Sequence, residues 1–173
     1  MAVTPTGLKG KLLDNLRTLV AASSTFQTWV GAEDAAAAKA HIYLVGVDPA
    51  GEGESLASKR PMAVVRHKVP ADVEAEAVAG GARQHFTHRG ALELLFEDTV
   101  ATAQQSDHGD AELAFANHVD GVLSDMKALA GSGTYLNMIG HATLNGPARA
   151  HPDERASEGD YYQQSVEIEW SDL

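Results

Sequence analysis

A chain of 173 residues has the length of one domain, spanning 1–173, and 44% apolar against 21% charged residues excludes a disordered composition. Its 24 acidic and 13 basic side chains leave a net charge of −11, which argues against a phosphate-binding surface or an anionic membrane as partner. The absence of cysteine excludes disulfides, thiolate zinc sites and cysteine nucleophiles, no apolar run approaches the roughly 18 residues of a membrane span, and residues 1–10 lack the apolar core of a signal peptide, so the expected protein is soluble and cytoplasmic.

The first predicted element is a helix capped by Thr6, with Leu8, Leu12, Leu16, Leu19 and Val20 forming one apolar stripe. Residues 23–25 break it. Ser24 and Gln27 have the spacing of a capping box for a short helix anchored by Phe26, Trp29 and Val30 and ended by Gly31. Asp34 caps an alanine-rich turn. Residues 41–47 are apolar on both faces and predict a central strand, and 48–59 a loop. Residues 62–65 predict a second strand introduced by Pro61. Residues 69–81 read as irregular or as a short acidic helix after Pro70.

Residues 82–100 carry the strongest strand signal, because Leu92, Leu94 and Phe96 alternate with Ala91, Glu93, Leu95 and Glu97. Gly90 is expected to bulge this strand. The next helix starts after the cap candidate Asp107, and Phe115, Val119, Val122, Met126 and Leu129 step by four and three along one seam. Residues 135–144 predict a strand that Asn145, Gly146 and Pro147 break. Residues 148–160 form a polar arm of mixed charge. The closing strand, 161–170, puts Tyr162, Val166, Ile168 and Trp170 on one face and Glu167 and Glu169 on the other. The expected fold is α+β: one mostly antiparallel twisted sheet with the two main amphipathic helices on one face. The opposite face, bearing Glu93, Glu97, Glu167 and Glu169, is either solvated or turned toward another subunit.

No catalytic constellation emerges. His85 and His88 are three apart, so on a strand they point to opposite faces and cannot share an ion. No His-Glu-x-x-His helix exists. Asp107, His108 and Asp110 are ligand types, but their place at a helix start makes capping the better account. Gly53, Ser55 and the residues between them lack the last glycine and the preceding strand of a nucleophile elbow. Gly131-Ser132-Gly133 is a helix stop. The carboxylates show no pairing pattern, and a glycosidase pair is a three-dimensional fact. The expectation is no catalytic residue, no metal and no cofactor. In the arm, Arg149 and Arg155 bracket Asp153 and Glu154, which fits either a solvated loop or an arm that reaches a neighbour.

Four features together resemble the tail terminator, or tail completion, proteins of long-tailed bacteriophages. They are the helix 8–20 leading into Phe26-Gln27 and Trp29, the strand Gly90-Ala91-Leu92-Glu93-Leu94, the seam from Phe115 to Leu129, and the polar stretch 147–159 running into Asp160-Tyr161-Tyr162 and the strand 166–170. The resemblance implies a structural virion protein, made in the host cytoplasm. It would cap the tail tube as a homo-oligomeric ring, usually a hexamer, present a surface to the head-side connector or neck protein, and let DNA pass without specific binding. It also implies that Arg149, Asp153, Glu154, Arg155, Asp160, Tyr161 and Tyr162 lie at a subunit contact. A different neck or stopper protein, or a soluble hydrolase, are the alternatives.

Overall fold

Helix α1 (Leu8–Ala22) opens a computed structural model that describes residues 7–44, 56–67, 74–78, 85–99, 108–131, 141–151 and 161–171. Gly7, not Thr6, occupies the cap position, and no side chain caps the helix there. Thr6 lies outside the described residues. Leu12, Leu16, Leu19 and Val20 are buried, as their spacing requires. Ser23 takes an extended backbone and ends α1, and it also caps α2 (Ser24–Val30) by accepting a hydrogen bond from the Phe26 N–H at 3.1 Å. The cap is therefore one residue earlier than the expected box. Gln27 does not reach back to it; its Nε2 donates to the Ala21 carbonyl instead. Gly31 ends α2 at φ 68°, where a side chain is disfavoured. Asp34 Oδ1 accepts from the Ala37 N–H at 2.7 Å and starts α3 (Ala35–Ala38).

The sheet contains β1 (Ile42–Leu44), β2 (Met62–His67), β4 (His85–Thr99), β6 (Tyr161–Ser171) and β5 (His141–His151) in that order, with β3 (Glu74–Val78) also paired to β4. Every pairing is antiparallel except β1 with β2. The fold is thus α+β with a mostly antiparallel sheet. Helices α1 and α4 (His108–Gly131) share one core with a single face of that sheet.

Several local expectations are corrected. The strand expected over 41–47 is described only as β1, and it lies at one end of the sheet rather than in its middle. Residues 74–78, expected as irregular or helical, form β3. Gly90 makes no bulge: it pairs with Trp170 inside an unbroken register from Arg89↔Ser171 to Thr99↔Tyr161. Asn145, Gly146 and Pro147 do not end their strand. The register of β5 on β6 slips between Asn145 and Arg149 and resumes to His151, so the first four residues of the expected arm belong to the sheet. Asp107 and residues 152–160 lie outside the described residues.

The core explains the layering. Phe115, Val119, Val122 and Met126 of α4 pack with α1, with Phe26, and with Ala63, Val65, Leu92, Leu94, Phe96, Val166 and Ile168 of the sheet. Each large side chain buried this way contributes about 1.5–3 kcal/mol. Trp29 joins the layers through ring contacts to Phe26, Phe96 and Phe115 at 6.2, 5.8 and 5.6 Å, and its Nε1–H donates to Asp98 at 2.8 Å. A carboxylate from α4 holds α2 at its start: Asp125 Oδ2 accepts from the Ser23 hydroxyl at 2.8 Å, the Ser24 hydroxyl at 3.1 Å and the Thr25 N–H at 2.9 Å.

Candidate interface on the polar face of the sheet

Because strand residues alternate, the positions of β2, β4 and β6 that do not meet the helices form rows across the opposite face. Register gives these rows as Arg66–Glu93–Glu167, Val64–Leu95–Ser165 and Met62–Glu97–Gln163. The carboxylates on this face are not bare. Arg66 Nε donates to Glu93 Oε2 at 2.5 Å, and the Ser165 hydroxyl donates to Glu93 Oε1 at 2.7 Å. Glu97 Oε2 accepts from Arg60 Nε at 3.2 Å, and its Oε1 accepts from Gln163 Nε2 at 3.0 Å.

Burial grades along the face. The Arg66 and Glu93 side chains are 39% and 20% exposed, whereas those of Arg60 and Glu97 are 1% and 10% exposed. Arg60 enters from the residue before Pro61, and its guanidinium lies over the Tyr161 ring, 3.9 Å from the centroid. Its Nη1 has no hydrogen-bond partner. The Glu93 hydrogen bond holds the Arg66 guanidinium pKa above its ordinary value, desolvation by burial works against this, and the Glu93 charge adds to the rise.

Two fixed cation–carboxylate pairs therefore flank the Val64–Leu95–Ser165 row of this face. Both oxygens of Glu93 and both of Glu97 are engaged, which fixes side-chain positions. The two glutamates sit four strand residues apart, about 13 Å between Cα atoms. Among the described residues no group of three or more histidine, aspartate or glutamate side chains could hold a metal ion.

The suspected contact residues separate in the structure. Arg149 is a β5 residue in register with Gln163, so the Met62–Glu97–Gln163 row continues into its strand position. Tyr161 is half-buried under Arg60. Tyr162 belongs to the core, with its ring stacked on Phe115 at 5.6 Å. Period two sends it to the helix side of the sheet. Burial raises its phenol pKa above the ordinary value of 10, and the charges of Glu112 and Asp98 add to that. Asp153, Glu154, Arg155 and Asp160 lie outside the described residues. The sequence marked Glu93 and Glu97 as sharing a face. It did not mark Arg60 or Arg66 as their partners, since that pairing needs the register of β2 on β4.

No family model matches the chain, and no curated protein matches it.

Proposed function

We propose that the protein is a structural subunit of a bacteriophage tail, a tail terminator that caps the tail tube as a homo-oligomeric ring and joins it to the head-side connector. One observation carries the reading. The described parts of the stretches on which the resemblance rests meet in a single two-layer unit, with the helical ones on one face and two ion pairs on the other. That leaves a surface across β2, β4 and β6, with fixed ion pairs on either side of the Val64–Leu95–Ser165 row, for contact with other proteins. A net charge of −11 supports passage of DNA through the ring without adhesion, because like charges repel. The reading places the protein in the virion tail, after assembly in the host cytoplasm, and assigns it no catalytic residue, metal or cofactor.

The test is assembly. The purified chain is mixed with tail tubes that lack their head-proximal end piece, and the mixture is viewed by negative-stain electron microscopy. A ring seated on one end of each tube, and recovery of head joining in an extract depleted of the protein, are the expected results. Depleted extracts that still make tails of normal length and join them to heads would refute the reading. Tails of normal length that fail only at head joining would move the protein to the neck.

A further inference from the structure

The chain has four asparagines, and one of them, Asn145, is followed by glycine. Asn15 and Asn117 precede Leu16 and His118 inside α1 and α4, and Asn137 lies outside the described residues. An Asn-Gly pair can cyclise. The glycine backbone nitrogen attacks the asparagine side-chain carbonyl carbon. The two groups belong to adjoining residues, so the encounter is intramolecular and the effective concentration high. Glycine has no Cβ to hinder the approach and takes backbone conformations closed to other residues. A regular strand suppresses the reaction, because the ladder holds the backbone extended and engages the attacking N–H. Such a residue reacts only when the ladder opens.

The register of β5 on β6 fails at this pair. Residues 141–145 run in step with 169–165, Asn145 opposite Ser165, and pairing resumes with Arg149 opposite Gln163. From Asn145 to Arg149 is four steps, whereas from Ser165 to Gln163 is two. Gly146, Pro147 and Ala148 thus stand beside Gln164, and none of them is in register with it. An irregularity of this kind leaves its extra residues out of the ladder, and Pro147 has no N–H with which to restore it. Asn145 is the last residue of the regular pairing, and the attacking nitrogen is the first backbone group past it. Register also places the product. Asn145 extends the Val64–Leu95–Ser165 row to a fourth strand, between a row that ends at Thr143 opposite Glu167 and one that ends at Arg149 opposite Gln163.

We propose that Asn145 is a site of spontaneous deamidation in the folded protein, and that the reaction sets a carboxylate in the central row of the polar face. In the first step Gly146 N bonds to Asn145 Cγ, the Cγ–Nδ2 bond breaks, and ammonia leaves with the amide proton. The product is a cyclic succinimide. Water then opens the ring. Cleavage between the ring nitrogen and Cγ gives aspartate. Cleavage between that nitrogen and the backbone carbonyl carbon of residue 145 gives isoaspartate, whose main chain is one methylene longer. In both, the water oxygen stays on the new carboxylate and the nitrogen regains its proton. Water is the only co-reactant. Either product adds one negative charge to a chain already at −11. The slip takes up the longer main chain, because it already holds residues outside the ladder. The proposal stands whatever the polar face contacts.

Mass mapping tests it. The full-length chain is held at neutral and at mildly alkaline pH, folded in buffer and unfolded in urea, with circular dichroism confirming each state. Tryptic peptides are followed by mass spectrometry, and the aspartate and isoaspartate forms by their separate chromatographic peaks. Asn145 in the folded chain should convert within about tenfold of its rate in the unfolded chain. Both products should appear, faster at higher pH, while Asn15 and Asn117 stay intact. Gly146→Ala, read in folded and unfolded chains alike, should slow the conversion, since its methyl group hinders the attack. Conversion in the folded chain more than about tenfold slower than in the unfolded one would show Gly146 held as in a regular strand, and overturns the proposal. Aspartate without isoaspartate, or a rate indifferent to Gly146→Ala, excludes the cyclic route and overturns it as well. Loss of Asn15 or Asn117 at the same rate would show that the whole molecule opens, and that the slip is not the cause.

Discussion

Removing the Glu97 carboxylate should destabilise the protein strongly, and removing both members of its ion pair should not. The Arg60 side chain is 1% exposed and that of Glu97 10%, with Nε and Oε2 3.2 Å apart. Two charges about 4 Å apart attract by about 4 kcal/mol at an effective dielectric constant near 20, and the cost of desolvating both offsets most of that gain. Glu97→Ala removes the attraction and keeps the desolvation cost. Arg60 would then retain the Tyr161 ring and an Nη1 that already lacks a partner. The expected loss is about 3–5 kcal/mol, a large part of a typical stability of roughly 5–15 kcal/mol. Arg60→Met/Glu97→Leu fills similar volume without charge and should fall within about 1 kcal/mol of the parent. Half-buried Gln163 can turn its freed amide toward water. Urea denaturation of the parent, both single variants and the double variant gives the coupling energy, expected to be at least about 2 kcal/mol. Losses that simply add in the double variant would show that the two side chains do not meet as a buried pair.

The contact between α2 and α4 yields two further tests. A methyl group added at Gly121 would sit 2.8 Å from the Thr25 Cγ2, too close for a stiff β-branched neighbour to absorb. Gly121→Ala should therefore lower the melting temperature even though alanine favours helix by about 1 kcal/mol, and adding Thr25→Ser should restore it; a rise from Gly121→Ala alone would refute the close approach. Asp125→Ala should cost about 1 kcal/mol at neutral pH, the usual worth of a cap. The Thr25 N–H chiefly, then the Ser23, Thr25 and Ser24 hydroxyls, hold the Asp125 pKa below its ordinary 3.8, against a rise from desolvation. The folded pKa is depressed, so the charge-dependent part of this stabilisation is complete above pH 3.8 and is lost as pH falls through the folded value. The gap between parent and variant in melting temperature should narrow below that pH, and a constant gap would refute the assignment.

Helix α4 was legible because its apolar steps of four and three leave one reading, and all four seam residues from Phe115 to Met126 are buried. The same holds for β6, whose alternation places Tyr162, Val166 and Ile168 against the core. β3 was not legible, since Glu-Ala-Glu-Ala-Val offers only Ala75 and Ala77 as an apolar face and suits a helix as well as a strand; the ladder with β4 decides it. Asn145-Gly146-Pro147 is turn chemistry, but the sheet absorbs it by a register slip, because β6 supplies partners on both sides. On the polar face, period two revealed the two carboxylates within β4. Their cations come from β2 and the residue before Pro61, about thirty residues away in sequence, and only tertiary pairing brings them together. Tyr162 was assigned to a subunit contact by family likeness, while its own alternation already placed it inside.

Strand β6 lies between β4 and β5 in space, yet it follows every other strand in the chain. β5 has no other strand to pair with among the described residues, so it cannot join the sheet until β6 arrives. Until then one whole edge of the fifteen-residue β4 is open from Arg89 to Thr99. Closure joins residues more than sixty positions apart, a slow step that waits for β6. The interval before it is when nascent chains could pair with one another through that edge. The yield of native protein is thus a race between the arrival of one strand and the encounter of two unfinished molecules. Slower production, by lowering the concentration of unfinished chains, should favour the first.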